Sequence, residues 1–281
     1  MINNKISVLI NTFNEEQNIR NCLESVKWAD EIIVVDMYSE DTTVSIAREY
    51  TDKIYFFERM GYADPARQFA LEKSSNEWIL VVDADELIVN KLKDRLFNIA
   101  NKDNYDVVWI PRKNYFFGKP LKATGWGPLQ DKQCRFFKKQ FMNYTNQIHR
   151  FVHLNENAKI LFLEDDSLSI IHFNYLSYEH FIDKFNRYTT IEAKQIEKGK
   201  KISTATLITT SFKEFINRYF LKRGYRDGSI GLALSFLMVC YKITSLMKYK
   251  NMHDFNTDDV DKHVRKIYTE IAQKVNNDEK C

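Results

Sequence analysis

The sequence predicts an α/β fold, a mostly parallel sheet with helices on both faces, followed by a mainly helical C-terminal region. Two patterns carry that expectation. Over residues 1–90 short apolar runs alternate with helical segments, as right-handed crossovers between parallel strands require. The run Trp78-Ile79-Leu80-Val81-Val82 then stops abruptly at Asp83-Ala84-Asp85-Glu86, which reads as a buried strand whose carboxyl end opens into a site. The expected organisation is an α/β domain over 1–176, with halves 1–90 and 91–176, and a helical region over 177–281.

Taken in order, Ile6–Ile10 is an apolar strand, and Asn14 with Gln17 three positions later marks a helix start. Glu31–Asp36 is a second strand ending in an acid, followed by a helix from about Asp41 to Tyr50. Lys53–Phe57 is a third strand, Pro65–Ser74 a helix and Trp78–Asp83 the fourth strand. Ligands of parallel sheets bind at the carboxyl ends of the strands, so Thr12, Asp36 and Asp83 should converge on one cleft. Further on, Lys159–Leu163 and Leu168–His172 read as strands joined by a turn at Glu164-Asp165-Asp166. The tail, Asp258–Val275, carries Val260, Val264, Ile267, Ile271 and Val275 at helical spacing and reads as a packing helix.

With 281 residues, 44% hydrophobic and 28% charged, the chain has an ordinary globular composition and ample length for a core. Cys22, Cys134, Cys240 and Cys281 lack metal-ligand spacing and read as reduced thiols of a cytoplasmic protein. Met1–Lys5 lead straight into the first strand, so no signal peptide is expected. None of the eight glycines forms GxGxxG or a P-loop after the first strand, which removes both nucleotide folds. No nucleic-acid partner is expected.

In extended backbone alternate side chains share a face, so Asp83 and Asp85 are expected to point the same way. Two carboxylates so placed are costly unless a cation sits between them, which outlines a metal site.

Four linked segments make a more specific case. They are Asn11-Thr12-Phe13-Asn14-Glu15-Glu16, Val34-Val35-Asp36-Met37-Tyr38-Ser39-Glu40-Asp41-Thr42, Gly61 with Ala66-Arg67, and Asp83-Ala84-Asp85. In order and spacing they resemble glycosyltransferase family 2. Gly125-Trp126-Gly127-Pro128 with Asp131 and Arg135-Phe136-Phe137, His172-Phe173-Asn174-Tyr175, and Arg223-Gly224-Tyr225-Arg226-Asp227-Gly228 extend the likeness. They resemble the family's lipopolysaccharide-core β-1,4-glucosyltransferase branch.

The resemblance implies a GT-A fold, with a nucleotide-sugar-binding half over 1–90 and an acceptor half over 91–176. The activity it implies is transfer of one hexose, with inversion, from a nucleotide-diphosphate sugar to a hydroxyl. UDP is the expected nucleotide, and the acceptor is a cell-surface glycan or its lipid-linked precursor. Donor-binding residues carried over are Thr12, Phe13, Asn14, Glu15, Asp36, Arg67, Asp83, Ala84 and Asp85. Asp36 would hold the base, and Met37 stands where a second family acid usually contacts the ribose. Asp83, Asp85 and His172 would hold Mn2+ or Mg2+, and Asp131 would be the general base. Gln130 departs from the Glu-Asp common at that place. Trp126 is expected to stack on a sugar ring, with core packing as the plain alternative. His149 and His153 read as ordinary histidines.

Rival classes are weaker. A haloacid-dehalogenase-type phosphatase wants Val81-Val82-Asp83-Ala84-Asp85 near the N-terminus, whereas here it follows three strand–helix units. A sugar nucleotidyltransferase would need a Gly/Arg-rich loop after the first strand. A non-catalytic nucleotide-sugar- or glycan-binding scaffold is the non-enzyme alternative.

From Lys184 to Arg226 the chain carries eleven Lys/Arg against three acids, followed by the uncharged stretch Gly228–Tyr241. Basic residues facing an anionic leaflet contribute about 1 kcal/mol each. The uncharged stretch falls short of the roughly 20 residues that span a bilayer. It is expected to lie in the interface with Phe236, Leu237 and Met238 among the acyl chains, a core helix or a contact with a second copy of the chain being the alternatives. Peripheral association with the inner face of the cytoplasmic membrane is the resulting expectation.

Overall fold

The structure, a computed structural model, describes residues 4–58, 64–144, 153–197 and 199–278; Gly61, His149, Lys198 and Cys281 lie outside the described residues. The chain divides into two compact units, Met1–Leu176 and Ser177–Cys281.

In the first unit β1 (Ile6–Thr12), α1 (Ile19–Val26), β2 (Glu31–Asp36), α2 (Thr43–Ala47), β3 (Ile54–Phe56), α3 (Asp64–Lys73) and β4 (Trp78–Asp83) alternate. There follow β5 (Glu86–Leu87), α4 (Asn90–Lys102), β6 (Val107–Phe116), β7 (Lys119–Pro120) and β8 (Lys132–Lys138). The unit ends with β9 (Met142–Asn143), β10 (His153–Leu154), β11 (Ile160–Phe162) and β12 (Ile170–Tyr175). The main path of the sheet runs β3-β2-β1-β4-β8-β6-β12-β5, with β7 and β11 also on β6. Strands β1 and β2 are buried along their whole length and β4 up to Asp83, because both faces of the sheet are covered. Val8 and Ile10 pack with Leu23 and Val26 of α1 and Leu92 and Leu96 of α4, while Leu9 packs with Ala70 and Leu71 of α3. This is the period-2 alternation of a strand between two helical layers.

The parallel order breaks at β8, which is antiparallel to both β4 and β6. Trp78 and Phe136 stack at 4.5 Å across the β4–β8 pair, a contact of about 0.5–1.5 kcal/mol beyond its buried area. Because β8 runs backwards, its first residues lie beside the last residues of β4. The register then sets Pro111 against Lys132, His172 against Asn114, and His172 against Glu86. Four strands thereby bring polar residues to one level at the carboxyl end of β4.

Several boundaries differ from the sequence expectation. Helix α1 starts at Ile19, not near Asn14. Asn14 has a left-handed backbone (φ 53°) and its side-chain oxygen accepts from Glu40 N at 2.8 Å, so it ties two loops together instead of capping a helix. Glu164–Asp166 does form the connection between β11 and β12, with Asp165 Oδ1 accepting from Ser167 N at 2.9 Å. The described cysteines Cys22, Cys134 and Cys240 are free.

The second unit contains α5 (Tyr178–Gln195), α6 (Thr204–Phe215), α7 (Gly228–Asp254) and α8 (Val260–Asp278). Helix α7 is longer than its uncharged stretch, and by length and composition alone it could cross a membrane. One face is buried through Leu234, Met238, Leu246 and Tyr249. Lys242 meets Glu192 of α5 at 2.7 Å, and Lys248 meets Asn186 Oδ1 at 2.7 Å. Gly231 is required where it stands, since a Cβ there would lie 1.9 Å from the Gly224 carbonyl oxygen. Met238 is buried whereas Phe236 is 55% exposed, so the three apolar residues assigned to one membrane-facing run do not share a face. The stripe on α8 is packed only in part, for Ile271 and Val275 are exposed.

At the amino end of the sheet Glu31 accepts from Ser75 N (2.9 Å) and Ser75 Oγ (2.8 Å) and also meets Ser7 and Lys53. Burial pushes its carboxyl up, but Lys53, Ser7 and Ser75 outweigh burial and hold it down at about 2 against an ordinary 4.5. A depressed folded value stabilises the fold above the unfolded value and loses that contribution as pH falls from 4.5 towards 2. Glu31→Gln is therefore expected to lose about 2–3 kcal/mol at pH 7. In denaturant titrations the gap from wild type should close as the pH approaches 2; a gap that does not change with pH contradicts this role.

Candidate active site

At the end of β4 three carboxylates and three guanidiniums alternate. Arg67, from α3, reaches Asp83 Oδ1 at 2.6 Å, and Arg135, from β8, pairs with Asp83 Oδ2. Arg135 Nη2 also lies 3.3 Å from Glu86 Oε1, which Arg112 Nη1 approaches at 3.3 Å from the other side. Arg112 then grips Asp131 Oδ2 through Nε and Nη2, each at 2.9 Å. Burial works to raise the Asp83 carboxyl, but the Arg135 and Arg67 charges outweigh it and hold it well below the usual range. Asp131 follows the same logic: burial opposes ionisation, while the Arg112 charge and hydrogen bonds from Asn114, Arg112 and Gln133 bring it below its ordinary value. Both are ionised at neutral pH. Removing one partner from such a buried network costs about 3–5 kcal/mol.

The string continues through an amide and an imidazole. Asn114 Nδ2 donates to Asp131 Oδ2 at 2.7 Å, and Asn114 Oδ1 lies 2.6 Å from His172 Nδ1. His172 Nε2 lies 3.4 Å from Asp85 Oδ2. Asn114 thus joins Asp131 to His172 by hydrogen bonds, and Asp85 lies at the far side of the His172 ring. Asp83 is not part of a shared carboxylate face with Asp85. Strand β4 ends at Asp83, the chain turns at Ala84-Asp85, and the two carboxylates go to different partners.

A divalent cation fits Asp85 and His172, a hard oxygen and an imidazole nitrogen whose opposite nitrogen is already engaged. It fits Asp83 poorly, because both of its oxygens are taken by guanidiniums. Among the described residues no group of three or more His, Cys, Asp or Glu gathers into a site.

The loops beyond β1 and β2 have a largely structural order. Asp36 is fully buried, with Oδ2 accepting from Ser39 N at 2.7 Å and Oδ1 from Ser39 Oγ at 2.5 Å. Glu15 Oε2 accepts from Asn18 Nδ2 at 2.7 Å. The Asn11 amide and Thr12 hydroxyl, at the end of β1, are buried without a hydrogen-bond partner, a condition a ligand can relieve. Beside Asp36, Tyr38 (φ 60°) and Phe56 are exposed with ring centroids 5.5 Å apart, an open aromatic surface of the kind on which planar rings stack. Phe13 is partly buried and Ala84 buried. Trp126 packs against Phe116 at 5.1 Å. Gln130 Oε1 accepts from Gly125 N at 2.9 Å, so this departure from the family pattern closes the loop before Asp131. His153 is exposed on β10.

Glu86, Arg112 and Asn114 escaped the sequence reading. The signal was there: Arg112 and Asn114 stand two apart in an otherwise largely apolar strand and so face the same way.

The family described as "Glycosyl transferase family 2" matches residues 7–157. The chain is 31% identical over 262 residues to an uncharacterized glycosyltransferase of Rickettsia typhi, covering 88% of this chain and 87% of that one. It is 27% identical over 274 residues to the lipopolysaccharide core biosynthesis glycosyltransferase LpsC of Rhizobium meliloti, covering 92% and 98%. Among solved structures, a mannosyltransferase of Pyrobaculum calidifontis, in complex with GDP-Man and Mn2+, superposes with a TM-score of 0.52 at 14% identity, over 89% of this chain and 88% of that one. The fold, the run of the family match and the extent of these likenesses agree: this chain belongs to glycosyltransferase family 2 and has the GT-A fold.

Proposed function

We propose that this glycosyltransferase moves one hexose, with inversion, from a nucleotide-diphosphate sugar, UDP-linked, to a hydroxyl of a cell-surface glycan or its lipid-linked precursor. The observation that carries this reading is the string Asp131–Asn114–His172–Asp85, which links an ionised carboxylate to an imidazole and a second carboxylate of the kind that suits a divalent cation. As the acceptor oxygen bonds to the anomeric carbon, the bond from that carbon to the diphosphate breaks. The nucleoside diphosphate leaves with the electron pair, and the hydroxyl proton passes to Asp131. Asp85 and His172 would hold Mn2+ or Mg2+, which would supply charge neutralisation for the diphosphate. Asp83 orients Arg67 and Arg135 around that charge. The orphaned Asn11 and Thr12 and the Tyr38–Phe56 pair are candidates for contact with the nucleoside, with Asp36 shaping the turn beneath. The likeness to LpsC supports an acceptor of the lipopolysaccharide type.

The second unit has a surface suited to an anionic membrane. Ile208 and Phe212 of α6, Leu221 and Phe236 are exposed, and Lys213, Arg223 and Arg226 are exposed in the same segment. Apolar residues entering the interface beside basic ones meeting headgroups is the usual mode of peripheral binding.

Three outcomes test this reading. Activity should vanish in EDTA and return with Mn2+ or Mg2+, and Asp85→Asn should lower kcat about 100-fold or more; full activity in chelator removes the cation. Asp131→Asn should lower kcat by about 10²–10⁴ while the donor KM stays within about threefold, with Asp165→Asn near wild type; the reverse order would move the base to the β11–β12 turn. In flotation with anionic liposomes at low salt the protein should rise with the vesicles. Reversing Lys222, Arg223 and Arg226 to Glu should weaken binding about 100-fold or more; equal binding by the reversed form places the apolar face elsewhere.

A further inference from the structure

Asn114 is fully buried on β6 and touches both halves of the site. Its amide nitrogen lies 2.7 Å from Asp131 Oδ2 and 3.0 Å from the Trp126 carbonyl oxygen, and its amide oxygen 2.6 Å from His172 Nδ1. Chemistry fixes which way the amide faces. An ionised carboxylate and a carbonyl only accept, so the NH2 group must face them. The oxygen then faces His172, and Nδ1 must carry a proton. In the neutral ring this leaves Nε2 with a bare lone pair 3.4 Å from Asp85 Oδ2, two acceptors that a cation or a donating water between them would reconcile.

The same amide makes Asp131 asymmetric. Oδ2 receives Asn114 Nδ2 and two Arg112 nitrogens, whereas Oδ1 receives Gln133 Nε2 at 2.7 Å. Three donors draw electron density from one oxygen and leave the other the better proton acceptor.

We propose that Asn114 is a positioning residue that sets both details together: it selects the Nδ1–H tautomer of His172, leaving Nε2 for the divalent cation, and it saturates Asp131 Oδ2, leaving Oδ1 to take the acceptor's proton. The inference rests on the roles proposed above for Asp131, Asp85 and His172. A buried amide that merely filled space would have no effect on a tautomer two bonds beyond its own hydrogen bond.

The test is long-range 15N–1H NMR on metal-free protein labelled in histidine, with the His172 signals assigned by their loss in His172→Gln. Wild type should show His172 protonated on Nδ1. Asn114→Ala removes the acceptor, so the proton should move to Nε2, where Asp85 accepts it, and Mn2+ measured by electron paramagnetic resonance should bind about 10-fold more weakly. Asn114→Asp keeps an acceptor for Nδ1 but sets a second carboxylate against Asp131. It should keep the Nδ1–H signature while kcat falls 10–100-fold and the donor KM changes less than about threefold. An Nε2–H signal in wild type overturns the proposal, and so do two variants that both keep kcat and Mn2+ affinity within threefold of wild type. Beyond the His172→Gln assignment, the wild-type spectrum needs no substrate, cation or active-site variant. A fully active Asp131→Asn would therefore remove the base assignment and leave the tautomer result standing.

Discussion

The site is organised by the alternation Arg67–Asp83–Arg135–Glu86–Arg112–Asp131, in which each charge is flanked by the opposite one. Glu86 is fully buried and Arg135 nearly so, a placement that is costly for ions without good partners. The series neutralises itself internally, so it can sit largely buried at the carboxyl end of β4. It also decides which carboxylate is left for other work. Asp85 stands outside the alternation and turns to His172, a partner with no fixed positive charge.

Asp83 and Asp85, two apart in sequence, thus keep different company: Asp83 holds two guanidiniums, whereas Asp85 lies beside the His172 imidazole. In the proposed mechanism a single cation between Asp85 and His172 would complete the electrostatics of the cluster.

Much of this was legible in the chain. The buried runs Ile6–Ile10, Glu31–Asp36 and Trp78–Asp83 show no polar alternation, and strands covered on both faces have no other signature. The helix start at Asn14 was misread because Asn serves equally as a cap and as a left-handed loop residue, and only the Glu40 contact decides between them. The alternation that would set Asp83 beside Asp85 assumes a strand that in fact ends at Asp83. For Arg112 and Asn114 the local pattern shows a shared polar face on β6, but their partners Glu86, Asp131 and His172 come from pairings distant in sequence, which local pattern does not encode. The run Phe236-Leu237-Met238, expected to lie together among acyl chains, divides because neighbours in a helical sequence fall on different faces, so Phe236 is exposed and Met238 buried.

The reversed strand β8 and the late pairing of β12 with β5 also say when the site comes into being. Asp83 and Asp85 leave the ribosome long before Arg135, and longer still before His172. At about 5–20 residues per second, that interval is on the order of ten seconds. At first the nascent chain carries Asp83 with Arg67, made earlier, but without Arg135, and Asp85 without His172. The alternation of charges is completed only when β8 arrives, and Asp85 meets His172 only once β12 pairs with β5. A chain cut after the fourth strand would keep the Arg67–Asp83 pair and lack every partner that ties it to Glu86 and Asp131.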